Sequence, residues 1–465
     1  MGVLGRFLQI YAVLTFLPAV LTLVYPEKAL NFYLFTGTSL LSLVAGTLMH
    51  RYGSTGDPSV QEAIILTLLG WASAILLGSI PLTEYLPVAD AIFEAASGLT
   101  TTGISIFSAP ENLPHSILFW RSFMQWIGGL GILTFFIAVL KQSGGISQRL
   151  FSAEAHKTDP GSIRPSLKKS VIDLWRVYGF LTTLLIGLFV ASKMPVFQAV
   201  IHAFSTLSTG GFSTQGASFA VYTPQIQAIS TLFMLLGGIN FVILYRVLRS
   251  DYRPLRNNSE FKLYLSIFAV VTAVLTFDLI GKTADPVLHG AFQSAAFISS
   301  TGFATIDIMV AAPAVQIMLL AVMFVGGSVG STAGGLKIFR IKTMLEMLKT
   351  RLKAYSLPDT AVNKVKIDGE ILDSSTVKTV SVLFFTWISV SFLIAISLVG
   401  LEGYSFKGAV SVAFSTIGNM GPIFTDSLLS EASVVSKIIL TVAMVAGRLE
   451  MLPVLAIFNR STIKD

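Results

Sequence analysis

The chain has 465 residues, of which 53% are hydrophobic and 12% charged, with a mean hydropathy of +0.75. Soluble domains carry about 25% charged residues, so this composition belongs to the membrane class. Cysteine is absent, which excludes disulfides and cysteine-ligated metals, and the formal net charge of +7 is informative only through its distribution.

Taken in chain order, the long apolar stretches predict spans at 6–25, 33–50, 60–80, 115–140, 171–191, 224–247, 261–280, 312–348, 376–399 and 432–457. LQIYAVLTFLPAVLTLVY at 8–25 lacks a basic cleavage-type start, and another span follows at once, so it reads as a span and not as a removed signal peptide. Four shorter apolar pieces lie between spans, at 88–99, 196–207, 286–298 and 406–415. They are too short to cross a hydrocarbon core and have the length of re-entrant or buried segments.

Each short piece runs into polar, glycine-containing sequence: GLTTTGIS at 98–105, TLSTGGFST at 206–214, FISSTGFAT at 297–305 and FSTIGNMGP at 414–422. One such stretch is a turn; four in the order span, short helix, loop, span are an internal repeat. Aligning the loops on a shared glycine pairs Thr102-Gly103, Thr209-Gly210, Thr301-Gly302 and Ile417-Gly418. The expected fold class is an all-α membrane protein with two extra N-terminal helices and four pseudo-fourfold repeats. The expected divisions are an N-terminal extension at 1–55 and repeats at 56–150, 165–256, 257–350 and 371–465.

With all four loops on one side of the membrane, the connections on that side contain only Lys28, Lys193, Lys282 and Lys407. The opposite connections hold many Lys and Arg, including a dense run from Lys349 to Lys366. The basic side is cytoplasmic by the positive-inside tendency, which places both termini inside and the loops outside. Anionic lipid accounts for the inner basic charge. The outer side is acidic, with Glu27, Glu84, Asp90, Glu94, Glu111, Asp278, Asp285, Asp307, Glu402, Asp426 and Glu431. A mouth lined by such groups concentrates cations and disfavours both an anion pore and nucleic acid.

Four irregular loops are tolerated at membrane depth only where protein or a water-filled cavity satisfies their backbone. Around one axis, their carbonyls can replace the hydration shell of an alkali cation, and glycine's tolerance of positive φ helps turn them there. The candidate potassium-binding set is Thr101, Thr102 and Gly103; Ser208, Thr209 and Gly210; Ser300, Thr301 and Gly302; and Thr416, Ile417 and Gly418. The four loops, GGSVGSTAGGLKIFR at 326–340 and GRLEMLPVL at 447–455 resemble the Trk/Ktr/HKT superfamily of potassium transporters, over essentially the whole chain. The two extra N-terminal spans make the chain most similar to the TrkH-type membrane subunits.

The resemblance implies one filter glycine per loop, by motif Gly103, Gly210, Gly302 and Gly418. Some relatives that admit sodium well have serine in the first loop, so Gly103 implies a preference for potassium. Five glycines within 326–335 should open the helix of the third repeat. The resemblance makes that break an intramembrane gate formed by Gly326, Gly327, Ser328, Gly330, Ser331, Thr332, Gly334 and Gly335, with Lys337 at its inner end. It also brings the intramembrane Arg448 close to that gate, where its charge alone already marks a functional candidate. WIGGLGIL at 126–133 and LLGGINFVILYR at 235–246 read first as packing positions, and Trp120 and Trp126 as interface or lipid anchors.

No metal-ligand spacing and no kinase, ATPase or hydrolase constellation is present, so the expectation is a transporter without a cofactor, not an enzyme. It would sit in a prokaryotic inner membrane among lipid. The resemblance further implies a homodimer and a cytosolic ring of Rossmann-type nucleotide-binding regulators, with 141–170 and 349–370 as docking segments. A sodium- or proton-coupled potassium symporter is the nearest rival, and a non-transporting membrane scaffold is the rival of another class.

Overall fold

A computed structural model describes residues 1–53, 60–142, 167–356, 364–425, 429–451 and 454–455, with backbone alone at 60–61, 132–142 and 167–170. The expected boundaries at 55/56, 150 and 165, Asp426 and most of the basic segment 141–170 lie outside the described residues.

The helices, in order, are α1 Gly2–Val24, α2 Ala29–Tyr52, α3 Val60–Ser79, α4 Val88–Leu99, α5 His115–Gln142, α6 Leu167–Ala191, α7 Val196–Leu207, α8 Pro224–Gly237 and α9 Phe241–Leu248. They continue as α10 Arg253–Asn257, α11 Ser259–Leu279, α12 Pro286–Ile298, α13 Pro313–Val325, α14 Ile338–Ala354, α15 Ser374–Glu402, α16 Phe406–Gly418 and α17 Val434–Arg448. A two-residue antiparallel hairpin pairs Lys366–Ile367 with Glu370–Ile371. Six of the described helices are long and apolar enough to cross a membrane. The chain is therefore an all-α, multi-pass membrane protein apart from that hairpin.

Proline sets where several elements begin. Pro195 precedes α7, and α8, α12 and α13 carry proline in their first turn, where its missing N–H is not needed. The expected short pieces form α4, α7, α12 and α16, whose inner residues are almost entirely buried. The α1–α2 hairpin closes on bare backbone. A Cβ on Gly5 would lie 2.6 Å from the Gly46 carbonyl, and one on Gly46 2.7 Å from that of Gly5, the small-residue contact that lets membrane helices approach.

Two readings change, one of a span and one of a side chain. The expected span 224–247 is a pair, α8 and α9, bent by 108°. At the bend, Gly238 faces the Tyr264 hydroxyl of α11, and Asn240 caps α9 by accepting from the Val242 amide at 2.8 Å. In the last turn of α9, the Arg246 guanidinium bonds Asp251 at 2.6 and 2.9 Å and holds that carboxyl below its ordinary range. Trp120 is not a lipid anchor. It is fully buried, donates to the Gly78 carbonyl at 2.9 Å and packs edge-on against Tyr11 of α1.

Candidate functional site

α4, α7, α12 and α16 each end in a residue pair whose backbone geometry repeats. Thr101, Thr209, Ser300 and Asn419 have φ of +56°, +54°, +59° and +50°. Two residues later, Gly103, Gly211, Gly302 and Gly421 have φ of +81°, +82°, +77° and +93°. Threonine at positive φ is sterically disfavoured, so its recurrence at Thr101 and Thr209 marks a conformation that the surroundings impose.

The glycines form a closed cycle. A Cβ on Gly103 would lie 2.1 Å from the Gly210 carbonyl oxygen, and one on Gly211 would lie 2.1 Å from that of Thr301. On Gly302 it would lie 2.4 Å from the Met420 carbonyl, and on Gly421 3.0 Å from that of Thr102. Each loop thus leans through its glycine on the carbonyl of the next, and the fourth returns to the first. A side chain at Gly103, Gly211 or Gly302 has no room without shifting backbone.

This cycle corrects the register expected for two loops. In the second, the equivalent of Gly103 is Gly211; Gly210 supplies the preceding carbonyl and corresponds to Thr102. In the fourth it is Gly421. Gly418 is the last residue of α16, and its carbonyl accepts from the Gly335 amide at 2.8 Å. Thr416 and Ile417 likewise lie inside α16. The signal that would have settled the register is helix phase: α4, α7 and α16 each begin 15 residues before the positive-φ glycine.

The loops are braced from the helices around them. Thr100 and Thr102 share a hydroxyl contact of 2.7 Å, as do Ser299 and Thr301. The position nine residues before the ring glycine holds Glu94, His202, Gln293 and Val412. Glu94 accepts from the Ile106 amide at 2.8 Å, and His202 Nε2 lies 3.1 Å from the Ser213 hydroxyl. Glu94 is fully buried and paired with the buried Arg121 at 2.8 Å. Asp90, also buried, pairs with Lys437 at 2.6 Å. These two carboxylates are internal braces and not part of a solvated acidic mouth; the sequence separation from Arg121 and Lys437 hid the pairs.

Two of the helices that follow the loops, α5 and α17, approach the short helices through glycine. A Cβ on Gly128 would lie 1.8 Å from the Leu99 carbonyl, and one on Gly447 2.0 Å from that of Ile417. Both glycines serve close packing.

Residues 326–337 connect α13 to α14 without helix and are mostly buried. Gly326, Gly330 and Gly335 take φ near +70°, as does Lys337 at +81°. The segment is fastened to several units. Ser328 and Thr332 amides donate to the Gly238 and Gly237 carbonyls at 2.9 and 3.3 Å. The Thr332 hydroxyl reaches the Leu207 carbonyl at 2.9 Å, and the Gly334 amide reaches the Ser300 hydroxyl at 2.6 Å. Gly327 donates to the Gly334 carbonyl within the segment, and the Ser331 hydroxyl to that of Ser328. Lys337 donates to the Ala333 carbonyl. Arg448, 4% exposed, ties the segment to the first unit: it donates to the Thr332 carbonyl at 2.9 Å and to that of Gly128 at 3.1 Å. A buried guanidinium spread over carbonyls is a cation held by dipoles, beneath a ring built from carbonyls.

The family described as "TrkH: Cation transport protein" matches residues 33–462. The chain belongs to the TrkH family. It is a TrkH-type membrane subunit of the Trk/Ktr/HKT potassium transporter superfamily and not an enzyme. It is 30% identical to an uncharacterized cation transporter of Methanocaldococcus jannaschii, over 98% of this chain and 94% of that protein. It is also 30% identical to the Trk system potassium uptake protein TrkH of Salmonella typhimurium, over 98% and 97% of the two chains. The crystal structure of the potassium transporter TrkH from Vibrio parahaemolyticus superposes with a TM-score of 0.88 at 26% identity, covering 99% of this chain and 98% of that one.

Proposed function

We propose that this TrkH-family chain transports potassium across the inner membrane along the axis enclosed by the four loops. The observation that carries this reading is the closed cycle of Gly103, Gly211, Gly302 and Gly421, each set against the carbonyl of the neighbouring loop. Carbonyls so placed can take over the hydration shell of a potassium ion. Thr101, Thr102, Ser208, Thr209, Ser300 and Thr301 support the loops, with Gly210 and Met420 supplying carbonyls to the cycle.

In this reading the segment 326–337 obstructs the path below the loops, with Arg448 as its anchor and Lys337 at its inner end. A movable barrier at that depth explains why a buried segment is held by hydrogen bonds to neighbouring units and not by helix. Homodimer formation and control by a cytosolic nucleotide-binding ring follow from the family resemblance. The hairpin supports one route for such control: Ile367 is buried against Val329 of the segment and Phe339 of α14. A regulator docking on 349–370 would pull on the obstruction directly. Outward-facing loops and cytoplasmic termini remain the orientation that the charge distribution favours.

Potassium flux in liposomes tests the reading. The purified chain should pass potassium with a reversal at its Nernst potential. A reversal that moves with a sodium or proton gradient would establish the symporter instead, and absence of cation flux would establish a scaffold.

A further inference from the structure

The cycle is not evenly supported. Three positions before Gly128, Gly237, Gly326 and Gly447 stand Gln125, Met234, Met323 and Met444. Four residues earlier stand Arg121, Ser230, Leu319 and Leu440. All eight are buried. Three units thus carry a buried methionine at this position, and the first carries a carboxamide.

The Gln125 amide acts with both hands. Its Nε2 donates to the Gly210 carbonyl at 2.6 Å, and its Oε1 accepts from the Phe212 amide at 3.2 Å. The two bonds straddle Gly211. One turn earlier, the Arg121 guanidinium lies 4.2 Å from the centre of the Phe212 ring. The Gly210 carbonyl is the one that faces Gly103 in the cycle. Among the described residues, no side chain donates to its counterparts on Thr102, Thr301 and Met420. The residue before the ring glycine matches this difference. It is Thr102, Thr301 and Met420 in three loops but Gly210 in the second, where a Cβ would lie 2.4 Å from the Gln125 carboxamide carbon. Gln125 and Gly210 therefore form one matched pair, standing where the other units combine methionine with a larger residue.

We infer that Gln125 is a positioning residue that sets ion discrimination by fixing the Gly210 carbonyl and locking the second loop. This rests on the reading of the loops as the selectivity filter. A carbonyl tied to an amide cannot turn freely toward an ion, and its loop cannot relax around a smaller one. In one quarter of the filter the ring carbonyl itself is tied by a side-chain donor; in the other three, side-chain bonds brace the loops at hydroxyls and amides.

The test compares sodium-to-potassium permeability ratios, from bi-ionic reversal potentials in liposomes, for the parent, Gln125→Met, and Gln125→Met with Gly210→Thr. Losing the clamp should raise the sodium-to-potassium ratio about three- to tenfold, the range expected for a lost hydrogen bond or two of ordinary net strength. The double variant rebuilds the combination of Met234 in the second unit with Thr301 of the third loop and should recover much of the discrimination. Gln125→Glu keeps the shape and the acceptor toward Phe212 but removes the donor toward Gly210; it should also alter the ratio and stands in if the methionine variant does not fold. A folded Gln125→Met, or Gln125→Glu in its place, with the parent's ratio overturns the inference. Gly211→Ser is the separate control: if it changes the ratio and the Gln125 variants do not, the filter reading survives and the positioning role falls.

Discussion

Gly418 and Gly421 are three residues apart and differ in consequence. Gly421 has φ +93° and faces the Thr102 carbonyl, whereas Gly418 ends α16 and an added Cβ meets Met420 side-chain atoms at 3.1 Å. A methionine side chain can give way; a positive-φ backbone cannot accept a Cβ without strain of order 1–2 kcal/mol. Gly421→Ala should therefore raise the sodium-to-potassium ratio in liposomes several-fold, and Gly418→Ala should leave it within about twofold, given a strain gap of that size. Equal effects would refute the register set out above. This distinction was out of reach of the sequence because TGG and GNMG each offer two glycines, and only backbone torsion tells which one turns. Past their short helices the first and third loops offer a single glycine, and there Gly103 and Gly302 were legible.

At the scale of elements, the break between α13 and α14 was visible as a run of glycines, because each is a poor helix former. The break between α8 and α9 was not, because Gly237 and Gly238 sit in an otherwise strongly apolar run and the bend is fixed by partners remote in sequence. One of those partners is the segment 326–337 itself, through Ser328 and Thr332. If that segment is the barrier, deleting 328–333 removes the bonds to Gly237, Gly238 and Leu207 together. The deletion variant should show higher basal potassium uptake than the parent in liposomes without any regulator, with the ion ratio largely kept. Arg448→Ala removes two of the anchoring bonds and should raise uptake less. A folded deletion variant with uptake at or below the parent's would make the segment a packing element.

Across the whole molecule, composition and span length made the membrane class and the repeat readable, since both follow from hydrophobic thickness. Pairing between distant charges was not readable: Glu94 and Asp90 look like loop carboxylates until Arg121 and Lys437 are brought to them by folding. The α1–α2 hairpin covers Trp120 of the first unit but touches none of the four loop glycines. Gly5→Leu should pry the hairpin apart, since even a Cβ there lies 2.5 Å from the His50 amide nitrogen. Overpacking of this kind costs about 1–3 kcal/mol, so the thermal unfolding midpoint should fall. The sodium-to-potassium ratio should stay at the parent's value, and a changed ratio would show that the hairpin shapes the axis.

The cycle of glycines has the mechanics of a hoop with no free end. A strut fails where it is cut, but a hoop cut anywhere loses tension everywhere. Displacing the first loop withdraws the Thr102 carbonyl from Gly421, and a shifted fourth loop withdraws that of Met420 from Gly302. Damage therefore travels around the ring to loops that the altered residue never touches. Substitutions in two opposite quarters should do little more harm than one alone, the non-additivity expected of parts that stand or fall together.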